Sequence, residues 1–211
     1  MILVEGKPFL EYEINLFKRQ SVDDFVICVG YKGEAIRNYF GNGRGLGVHI
    51  RYSDDGEQLL GTAGSVKNAE ALLSDRFFIT YGDAYPIVDI TAAERSFFQS
   101  GKLALMVVCR NSNRYGRSNT VVEDGLVTFY SKLDSTRKME YIEFGVTFMQ
   151  KKALGLIQRD YPVDLESLYG KIVCMKEMAA FEVEQRIYDI GSPEGLAEFR
   201  KFVALDKARM S

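Results

Sequence analysis

Two aspartates have the chemistry and the setting for metal-assisted phosphate work. Asp83 closes the run FFITYGD and Asp189 lies in IYDIG, each at the end of a strand-like run and close to a glycine. A carboxylate is a hard oxygen ligand of the kind Mg²⁺ takes when phosphates complete its shell, and two at neighbouring strand ends could share one divalent ion. Gly82, with no side chain, leaves room for a bulky ligand to approach the backbone. Gly-Asp also makes an ordinary turn after a strand. A second stretch, Gly61-Thr62-Ala63-Gly64, follows a polar loop and precedes a helix predicted over roughly Ser65 to Leu73. Small residues at a helix start can offer backbone N–H groups to a phosphate or a flat base, or simply cap the helix. Lys132 and Glu143 are polar residues at strand ends, positions that suit either solvent or a ligand.

The elements that must carry these residues alternate. FLEYEINLFKRQ spaces Leu10, Ile14 and Phe17 as one helical face, with Glu11, Glu13, Lys18 and Arg19 expected outward and Pro8 suited to the first turn. DFVICVG reads as a buried strand, YKGEAIRNYF as a short amphipathic helix, and Val48 to Tyr52 as a strand. Strand, helix, strand at this pitch implies right-handed parallel crossovers and an α/β sheet in which ligands gather at the carboxyl ends of strands. TAAERSFFQSG reads as a helix and KLALMVVCR as another buried strand. NTVVEDGLVTFYSK is a hairpin turning at Asp124-Gly125, and YIEFGVTFM a strand whose Gly145 marks a close approach. Residues 111–150 are thus expected to form a small antiparallel β lobe over the sheet edge, within one domain spanning 1–211. Asp164 to Tyr169 suggests a short helix, VCMKEM and AAFEVEQRIYDIG strands, and Ser192-Pro193 the start of a final helix.

GNGRGLG, Gly41 to Gly47, is not a phosphate cradle: its glycines do not fall as G-x-G-x-x-G, and a strand rather than a helix follows it. The chain has a single histidine, His49, which gives histidine-centred acid-base catalysis little support. Its 27 basic and 29 acidic residues leave a net charge of −2 with no long block of either sign, which does not favour nucleic acid as a partner. Cys28, Cys109 and Cys174 show no metal or redox spacing and are expected to be buried, reduced thiols of a cytoplasmic protein. No apolar run has the length to span a bilayer.

In order, G-K-P-F-L-E-Y, V-G-Y-K-G-E-A-I-R-N-Y-F-G, L-G-T-A-G, Y-G-D and D-I-G-S-P-E-G-L cover nearly the whole chain. Together they resemble the sugar-1-phosphate nucleotidyltransferases, especially the short mannose- and heptose-1-phosphate guanylyltransferase-like enzymes of bacterial surface-polysaccharide pathways. The resemblance implies a Rossmann-like three-layer sandwich with a mixed, mostly parallel central sheet. It implies attack of a sugar 1-phosphate on the α-phosphorus of a nucleoside triphosphate, with Mg²⁺ as cofactor and pyrophosphate expelled. By position, Asp83 and Asp189 match the metal-binding aspartates, and Gly61 with Thr62 matches the backbone bordering the base, Gln58 being a candidate base contact. Lys132 matches the lysine that meets the sugar phosphate, although its context is Ser131-Lys132-Leu133 rather than Glu-Lys-Pro. Gly116 and the Glu143 to Gly145 segment would line the sugar side. A homo-oligomer is compatible with the sequence.

Family members begin with a strand and a G-G-x-G-T-R loop ending in Pro-Lys-Pro, whereas MILVEGKP aligns just after that element. The resemblance therefore implies an open edge in the middle of the sheet, uncompensated triphosphate charge and weak transferase activity for residues 1–211 alone. A non-catalytic module binding sugar phosphates or sugar nucleotides would show the same motifs. A metal-dependent glycosyltransferase of similar fold is a further alternative, against which Asp83-Ala84-Tyr85 stands in place of Asp-x-Asp.

Overall fold

The computed structural model describes residues 1–57, 60–114, 116–134, 139–158 and 162–210. The chain opens with a two-residue ladder of β1 (Leu3–Val4) and β2 (Lys7–Pro8), then α1 (Phe9–Lys18), β3 (Asp24–Val29), α2 (Gly33–Phe40) and β4 (His49–Asp54). The middle holds α3 (Gly61–Asn68), β5 (Arg76–Thr80), β6 (Ala84–Tyr85), α4 (Ile90–Ser100) and β7 (Ala104–Arg110). It continues through β8 (Thr120–Glu123), β9 (Leu126–Tyr130), β10 (Tyr141–Gln150), α5 (Leu165–Cys174), β11 (Met178–Val183), β12 (Tyr188–Asp189) and α6 (Pro193–Met210). Gly41 to Gly47 is the predicted turn, a 3₁₀ segment at Arg44–Leu46 feeding β4.

The largest sheet is mixed, in the order β5-β10-β7-β11-β9-β8. β7 and β11 pair in parallel, and β10 runs antiparallel between β5 and β7, so β5, β7 and β11 share one direction. The β8–β9 hairpin closes one edge through Asp124-Gly125, whose φ values of 49° and 74° suit the right-handed twist of the strands. β10 does not belong to a separate lobe. Its residues 143–149 are buried without a break, as befits a strand covered on both faces.

A second, two-stranded parallel sheet joins β3 to β4. It faces β5 across a cavity of about 790 Å³. The open mid-sheet edge expected from the resemblance is thus present as a gap between two sheets.

Two assignments change with tertiary context. Glu11 and Glu13, expected outward, are 6% and 2% exposed. Glu11 accepts from Lys7 Nζ and Tyr39 Oη, both at 2.8 Å, and Glu13 Oε1 accepts from Thr80 Oγ1 at 2.9 Å. These bonds replace the lost water at both Glu11 oxygens and at Oε1 of Glu13, whereas the buried Glu13 Oε2 has no hydrogen-bond partner. Val173 and Cys174 end α5 rather than begin a strand, because Leu165, Leu168, Tyr169 and Ile172 form one helical face sunk into the core. All three cysteines are free thiols, but only Cys109 is buried. No helix among the described residues is long and apolar enough to cross a membrane.

Candidate active site

β5 ends at Thr80, and the turn Tyr81-Gly82-Asp83 leads straight into β6. β12 lies antiparallel to β6, with Asp189 opposite Ala84, and Ile190 N–H donates to the Asp83 carbonyl at 2.8 Å. This ladder brings together two aspartates that are far apart in sequence. A Cβ built at Gly191 would sit 2.9 Å from Asp189 Oδ1 and 3.6 Å from Asp83 Oδ2, so both carboxylates border one small space that glycine leaves clear. Nothing lies within 4 Å of a Cβ built at Gly82. Burial, and then the neighbouring charge of Asp189, hold the Asp83 carboxyl above its usual range, while Lys132 opposes the shift.

Two hard carboxylates with open space between them fit a divalent cation whose remaining positions go to phosphate oxygens or water. No cluster of three or more His, Cys, Asp or Glu ligands occurs among the described residues, so the protein share of such a shell is the aspartate pair.

Lys132 follows β9, and its Nζ stands 5.2 Å from the centroid of the Tyr81 ring. Its loop is held from α5. Glu166 Oε1 accepts from Lys132 N–H at 2.8 Å and from Ser131 Oγ at 3.1 Å, while Ser131 Oγ accepts from the N–H groups of Leu133 and Asp134.

Beneath Lys132 lies Glu143, which is buried rather than solvent-facing. Its carboxylate accepts from Tyr130 Oη at 2.5 Å and Tyr81 Oη at 3.1 Å. Burial raises its pKa, with the Tyr130 hydrogen bond and the Lys132 charge pulling the other way. The β10 register shifts between Glu143 and Thr147, and Gly145 sits within that irregularity at φ +73°. Such a bulge re-aims side chains next to a site. A Cβ at Gly145 would lie 3.0 Å from Ile187 Cδ1 and 3.2 Å from Ala84 Cβ, so the glycine admits the β6 turn.

The structure therefore groups Asp83, Asp189, Lys132, Glu143 and Gly145 around Tyr81. Gly116 stands beside β10, its carbonyl accepting from Asn111 Nδ2 at 2.8 Å, with Ile142 Cδ1 3.9 Å from a Cβ built on it.

Gly61 and Thr62 have structural partners. A Cβ on Gly61, at φ +73°, would lie 2.6 Å from the Val163 carbonyl oxygen. That oxygen accepts from Ala63 and Gly64 N–H, and Thr62 Oγ1 accepts from Leu165 N–H at 2.8 Å. These helix-start donors are spent on the chain itself, contrary to the expectation that they face a ligand. Gln58 lies outside the described residues. Sequence reasoning missed Tyr81, Tyr130, Glu166 and Gly191. Tyr81 and Gly191 stood within the quoted motifs, whereas Glu166 and Tyr130 carried no local signal.

A family model described as nucleotidyl transferase matches residues 1–205. The D-glycero-alpha-D-manno-heptose 1-phosphate guanylyltransferase of Campylobacter jejuni is 26% identical over 204 residues, which cover 94% of this chain and 87% of that protein. Among solved structures, HddC from Yersinia pseudotuberculosis complexed with GMP-PN aligns with a TM-score of 0.75 at 23% identity, covering 96% of this chain and 88% of the other. A putative glucose-1-phosphate thymidylyltransferase from Bacillus anthracis aligns with a TM-score of 0.82 at 16% identity over 95% of this chain and 84% of its own. At these identities the two structures speak to the fold.

Proposed function

The chain belongs to the nucleotidyl transferase family, and from that premise we propose that its cleft joins a sugar 1-phosphate to the α-phosphorus of a nucleoside triphosphate with release of pyrophosphate. The observation that carries this reading is the convergence of Asp83 and Asp189 on the space beside Gly191. Likeness to the heptose 1-phosphate guanylyltransferase favours a heptose or related hexose phosphate and a guanine nucleotide. The product would serve surface-polysaccharide synthesis in the cytoplasm.

Asp83 and Asp189 would hold the cation, Mg²⁺ by its fit to two carboxylates plus phosphate oxygens. When bound, that ion neutralises phosphate charge on attacking and leaving groups. Lys132, whose charge acts on Asp83, reaches toward the same cleft with a flexible ammonium suited to a phosphate, which supports assigning it to the sugar phosphate. Glu143, fixed by two tyrosine hydroxyls, offers a rigid acceptor to sugar hydroxyls near Gly145 and Gly116. No protein nucleophile is needed, because positioning and electrostatic stabilisation can carry an in-line phosphoryl displacement.

The test is a panel of nucleoside triphosphates against sugar 1-phosphates with Mg²⁺, read as pyrophosphate release and nucleotide-sugar formation. One productive pair, lost in Asp83→Asn and Asp189→Asn, supports the assignment. Turnover undiminished in both variants, or sugar-phosphate binding with no turnover for any pair, removes it.

A further inference from the structure

The strands beneath Lys132 pair in a closed circuit. β10 pairs with β7, β7 with β11, β11 with β9 and β9 with β8, and β8 returns to β10. Among the described residues that return has a single register pair, Tyr141 opposite Thr120. Asn119, the residue before β8, lengthens the seam. Its N–H donates to the Tyr141 carbonyl at 2.9 Å, and its side-chain Oδ1 accepts from Glu143 N–H at 2.9 Å and from Thr120 Oγ1 at 2.8 Å. The side-chain oxygen thus carries the seam two residues further along β10 than the register pair does.

That bond falls where β10 has little other support. Its ladder with β7 breaks between Glu143 and Thr147, and its pairing with β5 begins only at Val146. Glu143 is the last rung on β7 before Gly145 admits the β6 turn. A buried residue needs an acceptor for its N–H, and at Glu143 Asn119 supplies it.

The same residue reaches the Lys132 loop. The Asn119 carbonyl accepts from Ser131 N–H at 3.0 Å, immediately before Lys132. Arg117, two residues earlier, donates to the carbonyls of Leu133 and Asp134. One short segment therefore holds the backbone at both groups assigned to the sugar phosphate.

We infer that Asn119 is a positioning residue for the sugar 1-phosphate: its side-chain oxygen sets the backbone at Glu143 and its carbonyl sets the Lys132 loop, so that acceptor and cation keep one spacing. The inference rests on the transferase reading of the cleft. An amide suits the task, because its oxygen accepts two donors without adding charge beside the Glu143 carboxylate.

The test compares Asn119→Ala, Asn119→Gln, Asn119→Asp and Val127→Ala in the full chain, using the nucleoside triphosphate and sugar 1-phosphate that turn over in the substrate panel. Asn119→Ala should raise KM for the sugar 1-phosphate about fivefold, the scale of one lost hydrogen bond, with kcat and KM for the nucleotide within about twofold of wild type. Asn119→Gln moves the oxygen by one methylene, carries the same expectation and decides the matter if the alanine variant does not fold. Asn119→Asp keeps an acceptor in place and should recover most of the affinity. Val127→Ala truncates a buried residue of the same hairpin; it should lower the melting temperature and leave KM for the sugar 1-phosphate unchanged. Residue-resolved hydrogen exchange on the unliganded proteins gives a second reading: in Asn119→Ala the Glu143 amide should exchange about tenfold faster relative to the amides of 147–149. The inference is overturned by an unchanged sugar KM or unchanged Glu143 exchange in the alanine and glutamine variants, by equal losses for both substrates, by no recovery with aspartate, or by the same KM shift in Val127→Ala. Wild-type protein that turns over no pair removes the transferase reading and this inference with it, whereas wild-type turnover with normal kinetics in Asn119→Ala removes the inference alone.

Discussion

Ile190 N–H donates to the Asp83 carbonyl at 2.8 Å, so the residue after Asp189 is tied to the backbone of Asp83 itself. The backbones that carry the two carboxylates are therefore joined through the β6–β12 ladder.

Replacing either aspartate should separate catalysis from stability. Asp83→Asn should lower turnover by about 100-fold or more, the scale for loss of an electrostatic contact to developing charge. Without divalent ion the same variant should melt higher than wild type, because burial and Asp189 already disfavour the Asp83 charge. Thermal melts in chelator and in Mg²⁺, beside the rate assay, check both halves.

Gly191→Ala probes the space between the carboxylates. Its Cβ would stand 2.9 Å from Asp189 Oδ1 and compete with anything bound there. The expected outcome is an increase of about tenfold in the divalent-ion concentration needed for half-maximal rate, in the range for disturbed ligand placement. The melting temperature should change little, since the clash is with a side-chain end. An unchanged metal titration would show that the cation sits elsewhere.

Glu166 should act through Lys132. Glu166→Ala removes the acceptor that fixes Lys132 N–H and Ser131 Oγ and should raise KM for sugar 1-phosphate several-fold with a smaller effect on KM for the nucleotide. Glu166→Gln keeps a carbonyl oxygen for the same bonds and should restore most of the affinity. Equal behaviour of the two variants would argue against this positioning role.

Glu13 makes stability depend on pH. Burial raises its pKa from 4.5 to about 8 in the folded chain. Between those values the folded state holds a proton that the unfolded state has lost, so the contribution is complete below about pH 4.5 and is lost as pH rises towards 8. Its share of the stability falls by up to about 1.4 kcal/mol per pH unit in that window. Denaturant midpoints of Glu13→Gln should be flatter than wild type across it, and a parallel decline in both proteins would show that Glu13 is not the group responsible.

Gly61→Ala should cost stability without touching chemistry directly. It places a Cβ 2.6 Å from the Val163 carbonyl oxygen in a backbone conformation, φ +73°, that L residues rarely adopt. A loss of about 1–3 kcal/mol follows from the conformational strain and forced displacement. Denaturant melts would report it, and a neutral result would reopen a ligand-facing role for this glycine.

Much of the site was legible before any coordinates. Asp83 and Asp189 stood out because each follows a strand-like run and lies close to glycine, and turn chemistry of this kind is written in adjacent residues. The Asp124-Gly125 hairpin was readable for the same reason, its positive φ values being a demand that few residue types meet. Glu143 as a buried acid was not readable, because its satisfaction comes from Tyr130 and Tyr81, 13 and 62 positions away. Gly61 was misjudged as ligand-facing because a glycine needed for a ligand and one needed for Val163 look alike in one dimension.

By itself, then, the chain's order of residues determined the alternation of helix and strand, the order of motifs that marks the family, and the choice of two carboxylates at strand ends. Only the folded molecule decided that β10 threads antiparallel between β5 and β7 and that Glu13 turns inward. The division has a physical cause. Periodicity, capping and turns depend on neighbours within a few residues, whereas strand partners and the burial of a charge are settled by the sum of contacts from distant segments, which no local window contains.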